Sequence, residues 1–215
     1  MSENNYNDNI FINCPFDEQY RGLFRAITFT ILDCGFIPRC SLEIADATQF
    51  RLGAILDIVR MCRYGIHDLS RVELDQATNL PRFNMPFELG IFFGAKHIGS
   101  GKHQGKQCMV LEKAKYRYQK YISDISGTDV TAHQNSAKSA VHAVRNWLVT
   151  ASHRKNIPQG EEINRRYKQF QREIRTLCRQ RNIRYDFMPF IEMTTIMSDW
   201  LRLNQVTSGP LFQRG

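Results

Sequence analysis

The sequence predicts an α/β fold of the Rossmann-like or flavodoxin-like kind: a doubly wound parallel sheet with helices on both faces, followed by a C-terminal helical extension. Three observations carry this. Short apolar runs of strand length alternate with segments of helical apolar spacing from residue 9 to residue 113, the pattern of repeated βαβ units. From about residue 134 the strand signal stops and helical spacing continues alone. Charge divides near the same place. Residues 1–130 hold 15 Lys/Arg and 15 Asp/Glu, residues 131–215 hold 14 and 6, and the whole net charge of +8 therefore lies in the second part.

The elements follow in order. "NIFINCPF" (9–16) is a short apolar run ending near Pro, read as a buried strand. "DEQYRGLFRAITFTILDCG" then places Tyr20, Leu23, Phe24, Ile27, Ile31 and Leu32 at helical spacing, with Asp17 available as a cap and Gly35 as a stop. "FIPRCSLEI" (36–44) is strand-like, and "FRLGAILDIVRMC" (50–62) is a second helix with Leu52, Ile55, Leu56, Val59 and Met61 apolar. "YGIHDLS" (64–70) is a short strand. After a loop comes "NMPFELGIFFGAK" (84–96), a helix apolar nearly all round, and then a strand, "QCMVLEK" (107–113). Three helices close the chain: "NSAKSAVHAVRNWLVTAS", "GEEINRRYKQFQREIRTLCRQRN" and "MPFIEMTTIMSDWLRLN". The middle one sets Ile163, Tyr167, Phe170, Ile174 and Leu177 opposite Arg165, Lys168, Arg172, Arg175 and Arg179. The division is an α/β domain at 1–130, a basic helical extension at 131–205 and a flexible tail at 206–215.

A hydrophobic content of 42% in 215 residues supports a packed core and excludes global disorder. There is no run of 18 apolar residues, and "MSENNYNDN" lacks the basic start and apolar stretch of a signal peptide, so a cytoplasmic protein without membrane contact is expected. The six cysteines form no CxxC pair, and none sits near a His at zinc-ligand spacing. Buried reduced thiols are expected, with no metal site and no cofactor.

Ligands of open parallel sheets bind at the carboxyl ends of the strands, where strand order reverses. Three stretches should meet there. The first, "NCPFDEQY", offers Asn13, Pro15, Phe16 and Tyr20 to a substrate. The second offers His67, Asp68 and Ser70, and the third Arg82, Asn84, Met85 and Glu88. Asn84 reads as an N-cap, Pro86 fits a first turn, and Glu88 would point from that turn toward the strand ends. No Lys or Arg stands three or four positions from Glu88; Asn84, Met85, Ile91 and Phe92 fill those places. Apolar neighbours raise its pKa and a helix N-terminus lowers it. A carboxylate kept ionised in a dry pocket attacks a carbon that develops positive charge, as an anomeric carbon does. The plain alternatives are an early-helix acid that complements the dipole, a loop-capping Asp68, a structural His67 and a solvated Arg82.

The set "FINCPF", "GIHDLS" and "NMPFELGIFFGAK" resembles the nucleoside 2-deoxyribosyltransferase-like superfamily over roughly residues 8 to 115. "CRYGIHDLSRVE" with "RFNMPFELG" looks like a bacterial branch of it, some of whose relatives act as N-glycosidase effectors in antiviral systems. The resemblance implies that Glu88 is the nucleophile that attacks C1′ and releases the base. It also implies that Asp68 hydrogen-bonds the base and assists its departure, and that sites are built across subunits of a homo-oligomer. Two departures stand out. The family's strand-one Tyr, which orients the nucleophile, is Phe11 here, and its small residues before the Glu are Met85, Pro86 and Phe87. Tyr20 is the candidate replacement for the missing hydroxyl. The long loop "LSRVELDQATNLPRFN" reads as a lid or binding loop whose Arg71 and Arg82 meet a phosphate.

The leading expectation is N-glycosidic bond cleavage or transfer on a nucleoside, nucleotide or NAD-like substrate. A nucleotide-binding or sensing module without chemistry is the second reading. The third is binding of nucleic acid or an acidic partner through the basic helix, set against a merely solvated helix face.

Overall fold

The computed structural model describes residues 5–44, 50–74, 79–125, 128, 130–180 and 184–205. Five strands, β1 (Asn9–Asn13), β2 (Ile37–Arg39), β3 (Tyr64–Asp68), β4 (Gln107–Glu112) and β5 (Val130–Ala132), form one sheet in the order β2-β1-β3-β4-β5, and every neighbouring pair is parallel. The helices are α1 (Arg21–Asp33), α2 (Arg51–Met61), α3 (Asn84–His97), α4 (Ala137–Ser152), α5 (Gly160–Gln180) and α6 (Phe190–Gln205). This is the expected α/β architecture, and its strand order puts the reversal between β1 and β3. The expected flexible tail at 206–215 lies outside the described residues.

The strands are shorter than their apolar runs. β1 stops at Asn13, ahead of Pro15, which has no N–H to give to a ladder. β2 stops at Arg39; Ser41–Glu43 turns as a 3-10 helix, with the Glu43 carboxylate accepting from the Cys40 N–H at 2.9 Å. β5 was not expected. Its three residues are all partly exposed, too short a run for alternation to show. It adds a fifth strand and carries the sheet past residue 130.

Alternation along the strands sorts the core into two faces. Ile10, Ile12, Tyr64, Ile66, Met109 and Leu111 pack with α1, α4, α5 and α6. Phe11 packs with Ile55, Ile58, Val59 and Phe92 of α2 and α3. Val110 joins Leu69, Met85 and Leu89 on that same side. Gly65 is needed there, because a Cβ would stand 2.8 Å from both the Phe92 ring and the His67 ring.

The C-terminal helices share the α1 core. Rings of Phe29, Tyr167, Phe170 and Trp200 cluster with centroids 5.3–6.0 Å apart. Ile163, Tyr167, Phe170 and Ile174 are buried as their spacing predicts, while Leu177 is exposed and Cys178 takes the buried place. Arg166 reaches from α5 to α1 and donates to both oxygens of Asp33 at 2.9 Å, inside the core. Removing Asp33 leaves the buried guanidinium with the half-exposed Glu162, 2.9 Å away, as its remaining partner. Asp33→Ala should therefore cost about 3–4 kcal/mol in urea unfolding. Asp199→Ala, which breaks the exposed pair with Arg202, should change stability by less than about 0.5 kcal/mol.

Candidate active site

A cleft of about 490 Å³ opens at the carboxyl end of β1. Asn13, Cys14, Pro15 and Phe16 form one wall, Ser41 and Arg51 a second, and Pro81 to Met85 with Glu88 a third. Of the expected substrate contacts, Asn13, Pro15, Phe16, Arg82, Asn84 and Met85 are thus brought together with Glu88. Asn13 fixes the junction: its Nδ2 donates to the Met85 carbonyl at 2.8 Å, joining the strand end to the start of α3.

Glu88 is half-buried in this cleft, and among the described residues nothing hydrogen-bonds or ion-pairs with it. Two expectations about it are corrected. It stands in the second turn of α3, not the first, and Asn84 begins the helix without any side-chain cap. The dipole falls off within the first turn, so desolvation wins. Burial pushes the Glu88 carboxyl up to about 7, against the opposing charge of Arg51 from α2. Glu88 thus has a cation in electrostatic reach, from another helix rather than its own.

Asp68 does not share this cleft. It is fully buried at the end of β3, on the α1 face of the sheet. It accepts from the Tyr20 hydroxyl at 2.5 Å and from the Ser70 N–H at 2.8 Å, and His133 Nε2 lies 3.0 Å away. His133 Nδ1 accepts from the Asn135 N–H at 3.0 Å, which puts the ring proton on Nε2, toward Asp68. Burial alone would raise the Asp68 pKa; contacts from His133, Ser70 and Tyr20 outweigh it and the net direction is down. A carboxylate so enclosed presents nothing to a nucleobase. Tyr20, in turn, gives its hydroxyl to Asp68 and does not orient Glu88. Phe11, the other position where that hydroxyl was sought, is packed edge-on against His67.

Two further candidates are also turned inward. His67 is fully buried between Phe11 and Phe92. Both protons of Asn13 Nδ2 are accounted for by Met85 O and His67 Nδ1, the latter at 3.0 Å, so the imidazole carries its own proton on Nε2. Burial, aided by the charge of Lys106, pushes the His67 pKa down to about 3 and holds the ring neutral. Ser70 is buried and contributes its backbone N–H to Asp68, while its hydroxyl has no partner among the described residues.

The loop between Asp68 and Glu88 is folded back by a bridge between Leu74 and Pro81; residues 75–78 lie outside the described residues. Arg71 and Arg82 both bind Asp17, at 3.3 and 3.2 Å. Asp17 also accepts from the Tyr20 N–H at 3.0 Å and closes the turn before α1. A second, larger cavity of about 810 Å³ lies beyond, with Tyr20, Arg71, Glu73, Arg82, Lys113 and Asn135 among its walls. Arg82 lines both cavities. Gln134 and Asn135, both at φ 54°, hold left-handed conformations at this rim. Sequence reading passed over His133 and Glu112, and took Asp17 only as a helix cap, without its pairing to Arg71 and Arg82. Glu112 is a buried β4 carboxylate that takes two 2.8 Å bonds from Arg117. The signal for His133 was present: "DVTAH" runs into "QNS", a β-branched pair followed by turn residues and an N-cap. Among the described residues, no group of three His, Cys, Asp or Glu side chains is placed to hold a metal ion.

Comparison of the chain with family models, with curated proteins and with solved structures returns no match.

Two outcomes follow from these electrostatics. The folded-state pKa of Glu88 is raised, so its stabilising contribution is present below the unfolded value and lost as pH rises through about 7. Glu88→Gln should therefore match wild type near pH 4 and exceed it at about pH 8, read as the shift in urea midpoint. Asp68 has the opposite sign: its depressed pKa contributes stability above the unfolded value, lost as pH falls through the folded one. Asp68→Ala should cost about 3–5 kcal/mol at neutral pH, and Tyr20→Phe, which removes one donor, about 1–2 kcal/mol by the same measurement.

Proposed function

We propose that this protein breaks the N-glycosidic bond of a nucleoside, nucleotide or NAD-like substrate, with Glu88 as the nucleophile. The observation that carries this is a half-buried carboxyl with no hydrogen-bond partner among the described residues, lining a cleft at the carboxyl end of β1 beside the strand-order reversal. Glu88 oxygen forms an ester to the anomeric carbon as the C–N bond electrons leave with the base; a purine or pyrimidine takes a proton from solvent, whereas nicotinamide departs neutral from its pyridinium. Water then cleaves the ester and frees the carboxylate. Arg51 and Arg82 on the cleft wall suit a substrate phosphate. Phe16 and Phe83, both solvent-exposed rings on its walls, suit a nucleobase.

A second reading, nucleotide binding without turnover, is favoured by one observation: neither Phe11 nor Tyr20 supplies a hydroxyl to Glu88. The two readings part in one experiment. Wild type and Glu88→Gln are incubated with nucleosides, nucleotides and NAD, and free base is read by chromatography. The glycosidic reading expects base from wild type and a loss of several orders of magnitude in the variant. Because the nucleophile must be ionised, the wild-type rate should climb with pH and level off above about 7. No base from any substrate, with ligand affinity equal in both proteins, would leave binding alone.

A further inference from the structure

The exposed side of α5 carries Lys168, Arg172, Arg175 and Arg179 at steps of four, three and four residues. Such steps set neighbouring side chains about 5–6 Å apart along one face. They line a shallow groove of about 580 Å³. Several other exposed helix cations have a carboxylate partner: Arg60 with Asp57, Lys138 with Glu161, Arg165 with Glu162, Arg202 with Asp199. Among the described residues, no carboxylate pairs with Lys168, Arg172, Arg175 or Arg179. Like charges spaced this way repel, so an unrelieved row works against the isolated helix.

The row continues past the end of α5. Tyr185, just beyond α5, is buried in the same core as Ile174 and Cys178, and its carbonyl accepts from Arg25 at 2.7 Å. The Arg25 guanidinium lies 3.9 Å from the Tyr185 ring centroid. Next stands Phe187, 66% exposed, with the Arg184 guanidinium 4.1 Å and the Arg21 guanidinium 6.0 Å from its ring centroid. Asp186 offsets part of this charge through Arg21 and Arg25. Phe187 lines a small cavity of about 210 Å³ together with Phe24 and Phe16. Phe16 is also a wall of the Glu88 cleft.

We propose that this track, from the cationic face of α5 through Phe187 to Phe16, binds single-stranded nucleic acid, and that the nucleotide reaching Glu88 belongs to a strand. The second clause rests on the glycosidic reading above. Cations in a row meet successive phosphates, and an exposed ring between guanidinium groups offers a stacking face to an unpaired base. An acidic protein would use the cations and leave the ring idle; a duplex keeps its bases stacked inside.

The test is fluorescence anisotropy of the full chain with a labelled single-stranded 20-mer. Four phosphate contacts predict an affinity that falls about 50-fold between 50 and 200 mM salt. Arg172→Glu with Arg175→Glu should abolish most of the binding, and Phe187→Ala should weaken it about tenfold with little change in salt slope. All three side chains are exposed, and circular dichroism confirms that the variants fold. Base release separates the two claims. Oligonucleotide cleavage lost in the double variant while free-nucleotide cleavage persists supports the proposal. Oligonucleotide binding without base from any substrate keeps the track and defeats the glycosidic reading. Absent or salt-independent binding, binding unaffected by the double variant, or equal binding of polyglutamate overturns the proposal, whatever Glu88 does to free nucleotides.

Discussion

The carboxyl end of the sheet is organised by one buried charge. Asp68 has no access to water, so its negative charge persists only because donors surround it. Those donors come from three places in the chain: Tyr20 at the start of α1, Ser70 just beyond β3, and His133 just beyond β5. Satisfying the carboxylate therefore fixes where α1 begins, where β3 ends and how the last strand enters α4. Glu112 repeats the device one strand over, with Arg117 and Tyr121 as donors and the His133 N–H bonded to its carbonyl at 2.9 Å. Behind the loop residues that wall the larger cavity thus stand two linked, fully enclosed carboxylates.

Strand parity decides which acids are left for chemistry. Side chains at Tyr64, Ile66 and Asp68 face α1; those at Gly65 and His67 face α2 and α3. Glu88 rides on α3 and so belongs to the other side of the sheet. Cys14 lines the Glu88 cleft, its pKa pushed up by burial and then by the charges of Asp68, Cys40 and Glu88 among others. The two carboxyls are driven apart in pKa, Asp68 down by its donors and Glu88 up by desolvation. Such divergence usually separates an acid from a base within one active site. Here it separates a fully enclosed, hydrogen-bonded charge from a carboxyl on a cleft wall.

Much of this was legible in the sequence, for reasons that differ by residue. Among the described residues, periodicity located four of five strands and all six α-helices because both periods are direct readouts of burial. It missed β5, whose three residues are half-exposed and carry no alternation. The cleft residues around Glu88 were legible because chain order places the ends of β1 and the start of α3 together. The expected partnership of Glu88 with Asp68 failed, because it depends on which face each side chain takes at the strand ends. His133 is far from Asp68 in sequence and joins it only through β5, the strand that periodicity missed. The state of Glu88 was misjudged by one helical turn, enough to move it out of reach of the dipole and leave desolvation in charge.

That same desolvation gives the glycosidic reading its physical sense. In the free protein, burying Glu88 without a hydrogen bond is a cost, visible as a pKa near 7. A transition state with positive charge at the anomeric carbon reverses the sign, because an opposite charge a few ångströms away favours the ionised carboxyl. The interaction is then stronger than in water, since the cleft wall supplies little screening. A partner such as a tyrosine hydroxyl would lower the cost in the ground state and weaken the difference between ground and transition states. On this account the absence of an orienting hydroxyl trades precision of aim for electrostatic contrast. Aim must then come from the substrate, held at a distance by cations and rings along the cleft and the track that leads to it.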